Sequence, residues 1–81
     1  MLRLVFPDGR AFEAPTFVEL VETMRQAALV APATRRRYMK DVKHRVRIWT
    51  GRTIEYTTER EFCLALVGLG LATLEGEEEL A

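Results

Sequence analysis

Sliding the sequence by 42 positions lays Gly9-Arg10-x-Phe12-Glu13-x-x-Thr16-x-x-Glu19-Leu20 over Gly51-Arg52-x-Ile54-Glu55-x-x-Thr58-x-x-Glu61-Phe62. Five of these positions are identical and two exchange one apolar residue for another. Upstream, Leu4 falls on Val46 and Phe6 on Ile48. Self-similarity of this kind means one supersecondary unit used twice. The expected fold is α+β: two pseudo-symmetric ββα units, an antiparallel sheet packed by helices, joined by a short basic helix.

In the first copy Leu2, Leu4 and Phe6 alternate with Arg3 and Val5, Pro7-Asp8-Gly9 turns the chain, and Phe12 resumes the apolar face. The pattern predicts a β-hairpin with a three-residue loop and Gly9 in the left-handed conformation. That loop length sets Leu4 opposite Phe12 and Arg3 opposite Glu13, so one face joins the core and the other carries a cross-strand ion pair. The second copy predicts the same register, with His44 opposite Tyr56, Arg45 opposite Glu55, Val46 opposite Ile54, and Trp49-Thr50-Gly51 at the tip.

Each hairpin leads into a capping box, Thr16-x-x-Glu19 and Thr58-x-x-Glu61, which marks a helix start. Phe17, Leu20, Val21, Met24 and Ala28 line the first helix; Phe62, Leu66 and Leu69 line the last. Gly70 ends that helix, and Leu71 to Glu75 form a short extended segment able to add a strand. Between the copies Ala31-Pro32-Ala33 breaks the chain, and Thr34 caps a connector helix with Tyr38, Met39 and Val42 as a narrow apolar stripe. The reading is one domain over residues 1–81: repeats at 2–30 and 44–72, the connector helix at 34–43, and a solvated, frayed acidic tail at 75–81.

The 81 residues hold one modest core, at a size where oligomerisation often adds stability, so a homodimer is expected. The longest apolar stretch, Phe62 to Thr73, is broken by Gly68 and Gly70 and is too short for a bilayer. No basic, then apolar leader pattern opens the chain, and the lone Cys63 suits a reducing compartment. A cytoplasmic location without membrane contact follows as the expectation. There are ten Arg to two Lys, ten Glu, no Ser, no Asn and a single Gln. Avoidance of thermolabile amides points to a thermophilic source, although a GC-rich genome biases composition in the same direction.

Charge gives the main functional signal. Net charge is zero, yet residues 35–52 hold Arg35, Arg36, Arg37, Lys40, Lys43, Arg45, Arg47 and Arg52 against Asp41 alone. A concentrated basic surface attracts phosphate backbones and releases counterions on contact. Trp49, between Arg47 and Arg52, is the candidate for stacking on a base, with Tyr38 assisting. The leading expectation is a small accessory or regulatory protein that binds DNA or RNA through this segment. The order helix, turn, basic helix, hairpin is similar to that of winged-helix DNA readers in order and charge only. The bland alternative is an Arg-rich helix paired with acidic residues of its own chain.

Catalysis finds little support. Serine is absent, Cys63 aligns with the core position Val21, and His44 is the only histidine, so no histidine cluster or His-based triad arises within one chain. Glu13 and Glu55 are accounted for by strand pairing, Glu19 and Glu61 by capping. Gly68-Leu69-Gly70 lacks the helix that a phosphate loop needs after it. No enzyme activity, metal or cofactor is expected. The competing function is a protein-interaction adaptor or homodimeric regulator. There the same arginines meet an acidic protein partner, and surplus apolar positions (Phe17, Val18, Val21, Leu64, Val67, Leu69, Leu71) bury a second copy.

Overall fold

A computed structural model describes residues 1–79. It opens with the hairpin that the alternation predicts. Strands β1 (Leu2–Val5) and β2 (Ala11–Ala14) are antiparallel, with Leu4 opposite Phe12 and Arg3 opposite Glu13. At the turn the Gly9 N–H donates to the Phe6 carbonyl at 3.0 Å and the Phe6 N–H to the Arg10 carbonyl at 2.8 Å. Gly9 supplies the required positive φ, 93°. Leu2 and Leu4 are buried. On the other face Arg3 lies 3.1 Å from Glu13 and 3.6 Å from Glu75.

Helices α1 (Phe17–Ala27) and α3 (Glu59–Gly68) start at positions related by the same shift that relates the two motifs. The Thr16 hydroxyl accepts from the Glu19 N–H at 3.2 Å and the Thr58 hydroxyl from the Glu61 N–H at 3.1 Å. Each bond satisfies a backbone donor that the first helical turn leaves free. Phe17, Leu20, Val21 and Met24 of α1 and Phe62, Cys63 and Leu66 of α3 are buried against the sheet and one another. Phe62 centres the cluster, edge-on to Tyr56 at 5.3 Å and to Tyr38 at 6.5 Å.

Between these helices the structure departs from the repeat. The connector does not stop at residue 43: it runs as α2 (Arg35–Thr50), capped by the Thr34 hydroxyl on the Arg37 N–H at 3.1 Å. No second hairpin forms among the described residues, and His44, Arg45 and Val46 have no strand partners in Tyr56, Glu55 and Ile54. His44 to Trp49 alternate like a strand, but Met39, Val42, Val46 and Trp49 also fall at helical spacing. Extending a helix already nucleated at Thr34 adds one hydrogen bond per residue, whereas an isolated second hairpin must form anew. Gly51 (φ 73°) then closes the helix, its N–H donating to the Arg47 carbonyl at 2.9 Å. Val46 and Ile54 still reach the core, 3% and 2% exposed.

The missing strands are replaced in part from the C-terminal end. β3 (Thr73–Gly76) pairs antiparallel with the free edge of β1, giving the order β2-β1-β3. Over residues 75–79 the expected acidic tail is exposed except at the half-buried Glu78, but it is not frayed: Glu75 and Gly76 belong to β3, and residues 77–79 are tied down. The Glu78 carboxylate accepts from the Phe17 N–H at 2.9 Å, the Glu79 N–H donates to the Pro15 carbonyl at 2.7 Å, and the Met1 amino group donates to the Glu77 carbonyl at 3.0 Å. A carboxylate at the positive end of α1 is favourably placed. The rest of the expected tail, Leu80 and Ala81, lies outside the described residues. No helix among the described residues is long and apolar enough to cross a membrane.

Candidate functional site

All but one of the nine residues expected to bind nucleic acid stand on α2, and the ninth, Arg52, comes just after its capping residue Gly51. A helix turns about 100° per residue, which divides them into two opposed flanks. Arg36, Lys40, Lys43 and Arg47 fall within an arc of about 60°. Trp49 lies about 150° round from the middle of that arc, with Arg45 beside it. Stripe and indole therefore face different ways, and Trp49 belongs to the last helical turn rather than to a hairpin tip.

On the stripe side, α2 borders an open cleft of about 1130 Å³ whose walls include Arg36, Lys40, Lys43, Tyr56 and Thr57. Arg36, Lys40 and Arg47 take part in no ion pair among the described residues; Lys43 has one at the 4.0 Å limit, to the exposed Glu55. The Arg47 guanidinium donates to the Thr53 hydroxyl at 2.9 Å, holding the loop after α2. The Lys43 ammonium is 5.8 Å from the Tyr56 ring centre. Burial raises the Tyr56 hydroxyl above the usual tyrosine range.

Arg35 and Arg37 are otherwise engaged. Arg35 bridges the helices, 3.2 Å from Glu59 on α3 and 3.7 Å from Glu22 on α1. Glu22 is also held by Arg25, at 2.9 and 2.5 Å, while Arg25 donates to the Pro32 carbonyl at 2.7 Å. This network fixes the entry of α2 over α1, and its Arg25 hydrogen bonds draw the Glu22 carboxyl down to about 2. Arg37 pairs with Asp41 one turn on, at 3.2 Å. Arg52 is exposed; its backbone N–H donates to the Thr50 hydroxyl at 3.0 Å.

Tyr56, read from the sequence as the strand partner of His44, is the aromatic ring that the fold places beside the cations. Its burial against Phe62 depends on the loop of residues 51–58, which has no periodic signal. Trp49 was readable as a member of the Met39-Val42-Val46-Trp49 stripe, whose spacing points it away from the basic face. The residues counted as surplus apolar surface go mostly inward: Phe17 and Val21 are buried, Val67, Leu69 and Leu71 half-buried, and Val18 and Leu64 partly exposed. Cys63 is buried in α3, and burial, with the nearby Glu59 charge, pushes its thiol up to about 12. No protein-family model, curated protein or solved structure matches the chain.

Proposed function

We infer that this chain is a small non-catalytic accessory protein that binds nucleic acid along α2. The observation that carries the reading is the one-sided stripe of Arg36, Lys40, Lys43 and Arg47, which has one long ion pair among the described residues. Eleven residues of helix separate its ends, about 16 Å. Along a duplex each strand offers a phosphate about every 3.4 Å, so the stripe spans about five phosphate steps and its four cations can each meet one of the phosphates within that length.

The helix start supports the same reading. Arg35, Arg36 and Arg37 occupy the first turn of α2, which has no acidic residue. Arg35 and Arg37 are offset by their carboxylate partners, but Arg36, with no ion pair among the described residues, opposes the macrodipole by about 0.3–1 kcal/mol. A bound phosphate relieves that repulsion. Tyr56 replaces Trp49 as the ring positioned to contact sugar or base beside the stripe. Phosphate contact without base readout gives little sequence preference. Burial and protonation leave Cys63 no part in thiolate chemistry.

The test is fluorescence anisotropy of labelled single-stranded and duplex DNA and RNA across a salt series. Four phosphate contacts predict a log K against log salt slope of about −3 to −4 on duplex DNA. Replacing Lys40 with Ala should weaken all sequences alike and flatten the slope by about one unit. Lys40→Glu with Lys43→Glu should remove binding while the fold persists. Absence of saturable binding at low salt, or affinity indifferent to these changes, would overturn the reading.

A further inference from the structure

The flank of α2 that faces away from the basic stripe borders a groove of about 660 Å³. Trp49, Tyr38 and Val42 form one wall; Phe6 and Phe12 of the hairpin and Leu29 after α1 form the other. Trp49 is 73% exposed and Leu29 fully so, with Val30 beside it at 85%. Large apolar side chains left to water together mark a contact surface. The rim carries one positive charge in excess, Arg10 and Arg45 against Asp8. Arg10 is held by Asp8 at 2.9 Å and lies 5.9 Å from the Phe6 ring centre, whereas Arg45 takes part in no ion pair among the described residues. Asp8 is the one carboxylate of the rim among the described residues, and the Arg10 side chain and backbone N–H already occupy both its oxygens.

This charge pattern selects among occupants. A second copy set groove to groove meets the same net-positive rim, with like charges facing across the axis. An oligonucleotide offers anions but no aliphatic side chains for the floor at Met24, Val46 and Leu66. An amphipathic peptide with carboxylates at its edge satisfies both the floor and Arg45. We propose that the groove between the hairpin tip and α2 docks an acidic amphipathic segment of a partner protein, with apolar side chains between Trp49 and Leu29 and a carboxylate on Arg45. The site is independent of the basic stripe and does not rest on the nucleic-acid reading.

A random twelve-residue phage-displayed peptide library, panned against the immobilised full chain, tests this. Enriched peptides should combine several Leu, Ile, Phe or Trp residues with Asp or Glu. A synthetic labelled copy should shift Trp49 emission to shorter wavelength on binding. Its affinity should fall about tenfold or more with Trp49→Ala and with Arg45→Glu, and hold within about twofold with Lys40→Glu, on the far flank. Both tested side chains are exposed, so circular dichroism should report an intact fold; should Trp49→Ala unfold, Arg45→Glu alone decides. No enrichment over bare support, enrichment of basic peptides, or indifference to Arg45→Glu overturns the proposal. A concentration-dependent dimer dispersed by Trp49→Ala, or displacement of the peptide by oligonucleotide in a Trp49-dependent way, assigns the groove to another occupant and also overturns it.

Discussion

Glu22 ties α1 to α2 through a single carboxylate. Its carboxylate takes two hydrogen bonds from Arg25, one from Gln26 at 3.0 Å, and the charge of Arg35. These hold its pKa at about 2, below the ordinary 4.5. A depressed folded-state pKa means that the unfolded chain binds the proton more readily, so this contribution is complete above about pH 5 and disappears as pH falls through 2. Glu22→Gln should therefore lower the melting temperature at pH 7, with the gap to wild type closing between about pH 4.5 and 2; a gap constant over that range would remove the carboxylate from the account. The glycines teach a different lesson at this scale. Gly9 and Gly51 align in the repeat and both adopt positive φ, 93° and 73°. Yet Gly9 turns a hairpin and Gly51 ends a helix, because a left-handed residue serves either purpose. The motif identified where the backbone must turn, not which element arrives there.

At the level of elements, what was legible follows from how local each signal is. The first hairpin is specified by a three-residue loop and strands on either side of it, and its register is the one the loop implies. The three helix starts are specified by Thr16, Thr34 and Thr58, whose hydroxyls all accept the N–H three residues on. The stretch from His44 to Trp49 has no such local decision: its alternation suits a strand and its 3-4-3 apolar spacing suits a helix, and the packing of Met39 and Val46 under α2 settles it. The consequence is a partition of two neighbouring apolar residues. Ile48 is 67% exposed on α2, while Ile54, in the loop beyond, is 2% exposed. Ile48→Lys should change stability by no more than about 0.5 kcal/mol in a denaturant titration. Ile54→Lys, which places a charge in the core, should unfold the domain or cost at least about 3 kcal/mol. A hairpin in the second half would bury Ile48 on one of its faces, so a large loss from Ile48→Lys would contradict the helix.

Across the whole molecule, the basic segment was visible as a composition but its division into two flanks was not, because a count of charges carries no rotation about a helix axis. The groove was still less visible: its walls come from Phe6, Phe12, Leu29, Tyr38 and Trp49, which only the tertiary fold gathers. The acidic tail was hidden for the same reason. Glu77, Glu78 and Glu79 look like a solvated run, but β3 on the edge of β1 delivers them to the start of α1, where Phe17 has an N–H with no partner inside its own helix. Glu78 thus ties the segment after the last strand to the first helix. Removing that acceptor with Glu78→Ala should cost about 1 kcal/mol, the ordinary worth of a helix cap, or about 4–8 °C of melting temperature in a domain of this size. Glu78→Gln keeps an oxygen acceptor and should recover part of the loss, the remainder measuring the charge at the helix dipole. Equal melting temperatures for wild type and Glu78→Ala would mean that the tail contributes nothing to closing the fold.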